Sequence, residues 1–122
     1  MLDSASPEVT ELILKGCQLE TLPDTIGRLG KLERLDVSEN ELEALPAAIK
    51  GCVLLTSLDA SDNALKALPV ELGQLVNLKE LLVYKNKISA VPEELGKLVQ
   101  LETLNLFNNM ARPHPSRGRC RL

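Results

Sequence analysis

Two aspartates and two serines are the residues of this sequence whose types and spacing best suit chemistry. Asp36 and Asp59 are separated by 23 residues, and Ser38 and Ser61 keep the same separation. Paired carboxylates can act as general acid and base, and a serine can act as a nucleophile when a histidine or another base activates it. The one histidine, His114, lies near the C-terminus. An active site would therefore need these groups to meet in a shielded pocket.

The elements that position these groups are copies of one short sequence motif. LERLDVSENELEALP, at 32–46, returns as LTSLDASDNALKALP at 55–69 and as LKELLVYKNKISAVP at 78–92. VTELILKGCQLETLP precedes them at 9–23, and a fifth copy that begins at 101 decays after its first half. A fixed interval of this length indicates stacked repeats. The repeats start near residues 9, 32, 55, 78 and 101.

Each part of the pattern L-x-x-L-x-L-x-x-N has a physical reason. The L-x-L piece alternates, so its apolar residues share one face of a short strand. The asparagine follows where the chain turns off the strand, and its amide can both donate to and accept from buried backbone groups. A cysteine replaces it in the first copy and can do so only weakly, through S–H. We therefore predict a structural ladder at Cys17, Asn40, Asn63, Asn86 and Asn109.

The second half of each copy, x-L-x-x-L-P-x-x-I/L-G/K-x-L, predicts a return segment on the opposite side. In the second copy, Leu42, Leu45, Ile49 and Cys52 are spaced by three and four residues, which suits a loose helical or 3-10 segment. The proline fixes φ where that segment begins. One repeat of this kind cannot bury its own apolar face, so it must stack on its neighbours.

These motifs resemble those of leucine-rich repeat proteins, in particular the 23-residue LPxxI/LGxL subtype of the Shoc-2 and Ras-suppressor kind and of their plant relatives. The resemblance covers about residues 9–110. It implies an α/β fold: a right-handed solenoid with a parallel sheet on its concave face and short helices or 3-10 segments on its convex face. It also implies protein–protein interaction and, by analogy alone, a pathway of small GTPases, kinases or phosphatases.

Composition indicates one intracellular domain without a cofactor. The 122 residues are 44% hydrophobic but only 2% aromatic, which suits thin layers filled by leucine. No apolar run is long enough to span a membrane, and the N-terminus carries acids where a signal peptide carries bases. The three cysteines form no metal-binding pattern with histidine, and we expect reduced thiols. We therefore expect a cytoplasmic or nuclear protein.

The two ends differ from the repeats. We predict a short lead-in or cap over residues 1–8, the repeat domain over 9–110 and a basic, disordered tail over 111–122. The tail contains four arginines and no acid, whereas the rest of the chain has 10 basic against 17 acidic residues, a net charge of −7. A basic arm for acidic surfaces and the truncated end of a longer array remain alternatives. No nucleic-acid partner is expected, because no aromatic residue or basic face accompanies the tail.

Function is expected on the concave face, where residues between the core leucines point out of the sheet. Four acids gather on the middle repeats, and an aliphatic residue and the chain's only tyrosine and phenylalanine gather on the last two. Aromatic residues of this kind serve as binding anchors. The predicted partner-binding residues are Arg34, Asp36, Glu39, Asp59, Asp62, Glu80, Leu82, Tyr84, Lys85, Asn105 and Phe107.

This face predicts a protein or peptide partner with a basic stretch followed by an apolar residue. The acids would meet the basic stretch, and Tyr84 and Phe107 the apolar residue. Two alternatives stay open: the acids form a solvated face that keeps the sheet soluble, and Phe107 with Leu82 covers a face hidden by further repeats or by a second copy of the chain. A monomer or a weak dimer through the C-terminal repeat is expected.

Catalysis is not expected. Asp36 and Asp59 should lie about 5 Å apart, one strand spacing, on an exposed face without a pocket. Ser38 and Ser61 should lie on the same open surface, without a histidine nearby. We predict a non-catalytic intracellular scaffold or adaptor. The alternatives are a fragment of a larger leucine-rich repeat signalling protein and a self-associating repeat domain.

Overall fold

A computed structural model describes residues 8–109, in which five strands alternate with four 3-10 helices. Each strand has three residues and each helix has five. Residues 1–7 and 110–122 lie outside the described residues, so the predicted lead-in and tail stay predictions. The strands are β1 (Glu11–Ile13), β2 (Arg34–Asp36), β3 (Ser57–Asp59), β4 (Glu80–Leu82) and β5 (Thr103–Asn105). The helices are η1 (Asp24–Arg28), η2 (Ala47–Gly51), η3 (Val70–Gln74) and η4 (Glu93–Lys97).

The five strands form one parallel sheet in chain order, β1 to β5. Every residue pairs with the residue one repeat later, so that Leu35 lies beside Leu58 and Leu58 beside Leu81. The ladder continues past the strand ends, because the amide of Val37 donates to the carbonyl of Asp59 at 2.8 Å. The predicted parallel sheet is therefore confirmed, and equivalent residues of successive repeats form straight columns across it.

A proline opens each 3-10 helix. Pro23, Pro46, Pro69 and Pro92 have φ between −74° and −67°, which is the value the pyrrolidine ring imposes. The carbonyl of each proline accepts the amide three residues on, as in Pro69 to Leu72 at 3.1 Å. Because the proline has no N–H of its own, it adds no unpaired donor where the helix begins.

The core is a single stack of aliphatic layers between the sheet and the helices. Within one repeat, Leu58, Leu65, Leu72 and Leu75 are fully buried, and each contributes about 1.5–3 kcal/mol by leaving water. Ala60 takes the place of a larger residue in the third repeat and is also fully buried. The layers have the same cross-section because every repeat presents apolar residues at the same positions.

Glycines let successive 3-10 helices approach closely on the convex side. A Cβ added to Gly73 would lie 2.5 Å from the carbonyl oxygen of Glu94, and one added to Gly27 would lie 2.6 Å from that of Ala48. Such distances are not sustained between real atoms, so these positions admit only a hydrogen. The spacing of the convex side is therefore set by backbone contacts.

The asparagine that follows each strand satisfies the backbone of two repeats at once. The Oδ1 of Asn40 accepts from the amides of Cys17 and Leu19, both at 2.9 Å. Its Nδ2 donates to the carbonyls of Leu14 and Val37, also at 2.9 Å. Equivalent bonds form at Asn63, Asn86 and Asn109. The amide groups of these side chains are paired with backbone groups inside the solenoid, so they are not available to a ligand.

The first ladder position is weaker. The thiol of Cys17 is exposed, and its Sγ donates to the carbonyl of Lys15 at 3.7 Å. A thiol has one weak donor where an amide has two strong ones. The first repeat is therefore joined to the second by the asparagine of the second repeat, since Cys17 contributes its backbone amide to Asn40.

Candidate functional site

One column of residues runs across the middle of the concave sheet face. The strand register places Ile13, Asp36, Asp59, Leu82 and Asn105 side by side at the last position of the five strands. We call these five residues the central column. Both predicted aspartates are brought together here, as neighbours on adjacent strands, and an aliphatic side chain lies on either side of the pair.

The two aspartates also have a structural role that the sequence pattern does not show. The Oδ1 of Asp36 accepts from the backbone amide of Ser38 at 2.9 Å and from its hydroxyl at 2.6 Å. The Oδ1 of Asp59 accepts from the amide of Ser61 at 3.1 Å and also from its hydroxyl. Asn105 accepts from the amide two residues on at 3.0 Å. These side chains hold the turn that ends the strand.

The prediction that both serines lie on an open surface is wrong. Ser38 is 4% exposed and Ser61 is 1% exposed. The alternation assumed for a continuing strand fails here, because the strands end at Asp36 and Asp59 and the chain then turns the serine inward. Because each hydroxyl is buried, a substrate has little access to it.

The second carboxylate oxygen of each aspartate has no partner in the part of the chain that the structure describes. Both hydrogen bonds to each side chain end on Oδ1, and within residues 8–109 no partner is recorded for Oδ2. Asp36 and Asp59 are half-buried and line the concave side, so the turn fixes their side chains while the second oxygen of each keeps its capacity to accept. The pair can accept hydrogen bonds from a cationic ligand without disturbing the turn.

A shallow depression of about 210 Å³ lies over β1 to β4. Ser57 forms part of its wall and donates its hydroxyl to Glu80 Oε1 at 2.9 Å. Arg34 is exposed and also lines it. Four acids and one base line the depression, so its formal charge is −3. The lining residues are Glu11, Ile13, Arg34, Leu35, Asp36, Ser57, Asp59, Glu80 and Leu82.

The remaining acids occupy strained backbone positions at one margin of the face. Glu39 and Asp62 have φ of 57° and 56°, and Lys85 and Asn108 at the equivalent positions have the same left-handed conformation. The first copy has Gly16 there, with φ of 67°. The amide of Glu39 donates to the carbonyl of Ser61 at 3.0 Å, so these residues extend the ladder.

These marginal acids are exposed and loosely held. The carboxylate of Glu39 lies 3.5 Å from Lys15 Nζ, with both side chains more than half exposed. Exposed pairs of this kind contribute little to stability. Glu39 and Asp62 therefore add to the negative potential around the depression, while Asp36 and Asp59 lie inside it.

The two aromatic residues lie on adjacent repeats after β4 and β5. Phe107 is 71% exposed, and Tyr84 is half-buried. Their backbones are joined through the amide of Lys85, which donates to the carbonyl of Phe107 at 2.8 Å. We call Tyr84 and Phe107 the aromatic patch; neither residue lines the depression over β1 to β4.

Metal and thiol chemistry find little support among the described residues. Within residues 8–109 there is no cluster of three or more His, Cys, Asp or Glu arranged to hold a metal ion. Cys52 is fully buried, and its Sγ donates to the carbonyl of Ile26 at 3.3 Å. Burial raises the pKa of the Cys52 thiol to about 11, which disfavours the reactive thiolate.

Comparisons with known proteins agree with this architecture. A family model described as a leucine-rich repeat region matches residues 11–111. No curated protein matches the sequence. Among solved structures, the chain is similar to a leucine-rich repeat protein of Leptospira interrogans, with 35% identity and a TM-score of 0.77 over 82% of this chain and 25% of that one.

Two further structures contain partners. The chain is similar to one in the BIR3–SERK2 complex of Arabidopsis thaliana, with 30% identity and a TM-score of 0.76 over 84% of this chain and 57% of that one. It is also similar to the plant peptide hormone receptor RGFR1, solved with RGF2, with 34% identity and a TM-score of 0.73 over 84% and 18%. The chain thus spans between about a fifth and somewhat over half of these proteins.

The predicted fold, a right-handed repeat solenoid with a parallel sheet and short 3-10 helices, is confirmed by these matches and by the sheet itself. None of the helices between residues 8 and 109 combines the length and apolar character that a membrane span requires.

Proposed function

Since the chain belongs to the leucine-rich repeat family, whose domains typically act as protein–protein interaction modules, we propose that it is a non-catalytic adaptor that binds a protein or peptide on its concave face. The observation that carries this proposal is the acidic depression over β1 to β4, with the half-buried Tyr84 and the exposed Phe107 after β4 and β5. The partner has a basic stretch, which meets the aspartates, followed by an apolar residue, which meets the aromatic patch.

Two of the similar structures contain a protein or peptide partner, which supports a partner of one of these two classes. One is a complex of BIR3 with SERK2, and the other is a peptide hormone receptor in complex with RGF2. In this chain, the strands β1 to β4 present charged side chains to the depression, and Tyr84 and Phe107 follow β4 and β5. Charge complementarity at such a face sets association rates, and buried aromatic anchors slow dissociation.

A non-catalytic role is supported by how the polar groups are used. The hydroxyls of Ser38 and Ser61 donate to their own aspartates, and the only histidine of the sequence is His114. Catalysis needs a base beside a nucleophile in a shielded site. Incubation with generic phosphatase, esterase and glycosidase substrates should show no turnover above buffer, and turnover that purifies with the chain would contradict this part of the proposal.

We further propose that the chain belongs to the 23-residue intracellular subtype and works in the cytoplasm or nucleus. The Pro-x-x-Ile and Pro-x-x-Leu-Gly motifs at Pro46 and Pro69 support the subtype. The free thiols of Cys17 and Cys52 support a reducing compartment. Partners in small GTPase, kinase or phosphatase pathways follow by analogy with that subtype alone. Fractionation of cells expressing the tagged chain tests the location, and recovery in the secreted medium would contradict it.

Self-association through the last repeat is the second candidate. Phe107 is exposed, and Leu101, Leu104 and Leu106 are only half-buried, so β5 offers an apolar edge to a second copy. Light scattering coupled to size exclusion, over a range of loading concentrations, distinguishes self-association from binding of a different partner. A dimer that grows with concentration and disappears in Phe107→Ser favours self-association, whereas a monomer at every loading favours a partner of another kind.

The proposed function is tested by selecting binders from a displayed library of random peptides and protein fragments. Each binder is then measured against Tyr84→Ala, which alters the concave face, and against Val70→Ser, which removes an exposed valine at the start of η3 on the convex side. We expect affinity to fall about tenfold or more for the first variant and to stay unchanged for the second. Binders that respond only to the convex variant would refute concave-face binding.

A further inference from the structure

The central column has an order of side chains that suits one kind of ligand. From β1 to β4 it reads Ile13, Asp36, Asp59 and Leu82, that is, apolar, acidic, acidic and apolar. Ile13 is 56% exposed and Leu82 is half-buried. The depression of about 210 Å³ is lined by all four. A ligand seated in it would contact an aliphatic side chain at each end and carboxylates in the middle.

The charge of this sheet face favours a cation at its centre. The acids that line the depression outnumber its one base, Arg34, by three. Asp36 and Asp59 each have one oxygen fixed by a turn and one oxygen without a partner among the described residues. A guanidinium presents several donors in a planar fork and can engage two carboxylates at once, which a lysine ammonium does less well.

The spacing of the column matches an extended peptide that crosses the strands. Neighbouring strands are about 4.8 Å apart, so Ile13 and Leu82, three strands apart, are separated by about 14 Å along the sheet. In an extended chain, residues i, i+2 and i+4 point to the same side, and i to i+4 spans about 13 Å. The middle residue then lies between Asp36 and Asp59.

From this match, we propose that the concave face binds an extended segment of a partner protein with the pattern apolar-x-Arg-x-apolar. The arginine lies between Asp36 and Asp59, one apolar residue packs on Ile13 and the other on Leu82. This proposal rests on the proposed concave-face function and specifies the part of the ligand that the depression holds, apart from any contact with the aromatic patch. The segment runs along the stack of repeats, across the strands, so it forms its specific contacts through side chains.

The probes are two acetylated and amidated synthetic peptides of identical composition, flanked by glycine at both ends. One contains Leu-Ser-Arg-Ser-Leu, which places the arginine on the same side as both leucines. The other contains Leu-Arg-Ser-Ser-Leu, which places the arginine on the opposite side. Each is titrated into the isotope-labelled full chain, and backbone amide shifts are followed by NMR. We expect the first peptide to shift the amides of β1 to β4 and to bind at least about tenfold more tightly than the second.

The charge is tested without damage to the turn by the double variant Asp36→Asn with Asp59→Asn. An amide oxygen can still accept from the residue two positions on, as the Oδ1 of Asn105 does. We expect the fold to be retained and the affinity for the first peptide to fall about tenfold or more. Glu41→Gln, an exposed acid outside the depression, is the single-charge control and should leave binding unchanged.

Several outcomes would overturn the proposal. One is equal affinity of the two peptides. Another is a set of amide shifts that maps to the aromatic patch instead of β1 to β4. A third is the absence of any shift at about 1 mM peptide, the limit of weak specific binding. If the amide shifts of β1 to β4 depend on protein concentration and not on peptide, a second copy of the chain occupies this face. That result would also overturn the proposal. If library binders lose affinity in Tyr84→Ala while the first peptide does not bind, the concave-face function stands and this ligand class is wrong.

Discussion

Gly73→Ala is the substitution that best tests whether backbone contact sets the stacking of repeats. The added Cβ would lie 2.5 Å from the carbonyl oxygen of Glu94, 2.8 Å from its Cβ and 3.0 Å from its carbonyl carbon. Two of these atoms belong to the backbone of η4, which cannot rotate away as a side-chain end does. The repeats must therefore separate by several tenths of an ångström along the convex side.

The expected loss in the free energy of unfolding follows from the fully buried residues that such a separation disturbs. Leu72 and Leu75 lie in the same layer, and forcing one methyl group into a packed site costs about 1–3 kcal/mol. Gly96 is the matched control, since it holds the same position one repeat later and a Cβ there meets nothing within 4 Å. Gly96→Ala should stabilise by about 0.4–1 kcal/mol, because alanine reduces the entropy of the unfolded chain.

The assay is denaturant unfolding of both variants, followed by far-ultraviolet circular dichroism, with the midpoint and slope read separately. The difference between the two variants should be about 1.5–4 kcal/mol, with Gly73→Ala less stable. A Gly73→Ala variant as stable as the unsubstituted chain would refute the reasoning that backbone contact fixes the stacking. A loss in Gly96→Ala as large as that in Gly73→Ala would show that something packs on the last helix.

Three further predictions concern the ladder, the core and the buried thiol. Asn86→Ala should lower the free energy of unfolding by about 3 kcal/mol or more, because four hydrogen bonds to backbone groups are lost. Leu58→Ala should cost about 2–5 kcal/mol, and Leu104→Ala clearly less, since Leu104 is only half-buried. With the other cysteines replaced by serine, Cys52 should resist a thiol reagent at pH 8 in the folded chain and react in denaturant. Because folding raises the pKa of Cys52 from 9.0 to about 11, stability should fall as pH rises from 9 towards 11.

Each of the three has a comparison that decides it. Asn77→Ala removes one exposed bond, to the carbonyl of Val53, so a loss equal to that of Asn86→Ala would contradict the ladder argument. Equal costs at Leu58 and Leu104 would mean that the last repeat is covered. Reaction of Cys52 at the same rate with and without denaturant would show that the core opens locally.

Much of the fold could be predicted from the sequence because each repeat obeys the same steric rules. The constant interval between Asn40, Asn63 and Asn86 requires equivalent positions to stack, and alternation in L-x-L then decides which side chains enter the core. The prolines mark the start of each return segment because their φ suits a 3-10 turn. Local conformational preferences and the overall fold agree in this chain, so the architecture can be predicted from the sequence.

The site could be predicted only in part, since alternation stops where the strand stops. Counting outward positions put Ser38 on the surface, whereas the strand ends at Asp36 and the serine is buried. A signal was present in the recurrence of Asp-x-Ser at two repeats, a spacing at which a carboxylate caps its own turn. The left-handed backbone at Glu39 had a signal too, since Gly16 and Asn108, types that tolerate positive φ, hold equivalent positions.

The difference between the two sets of acids bears on affinity as well as on structure. Asp36 and Asp59 are fixed by their turns before any ligand arrives, so binding requires little further ordering of their side chains. Glu39 and Asp62 are exposed, and among residues 8–109 their one ion pair is the loose one between Glu39 and Lys15, so they act mainly through long-range attraction.

Two double variants that each remove two negative charges therefore distinguish direct contact with the peptide from long-range electrostatic attraction. Asp36→Asn with Asp59→Asn should weaken binding of the Leu-Ser-Arg-Ser-Leu peptide about tenfold or more at physiological salt, whereas Glu39→Gln with Asp62→Asn should weaken it a few-fold at most. If both pairs weaken it equally, and added salt removes the whole effect, the aspartates contribute only to the field. The depression over β1 to β4 would then attract cations without holding one in place.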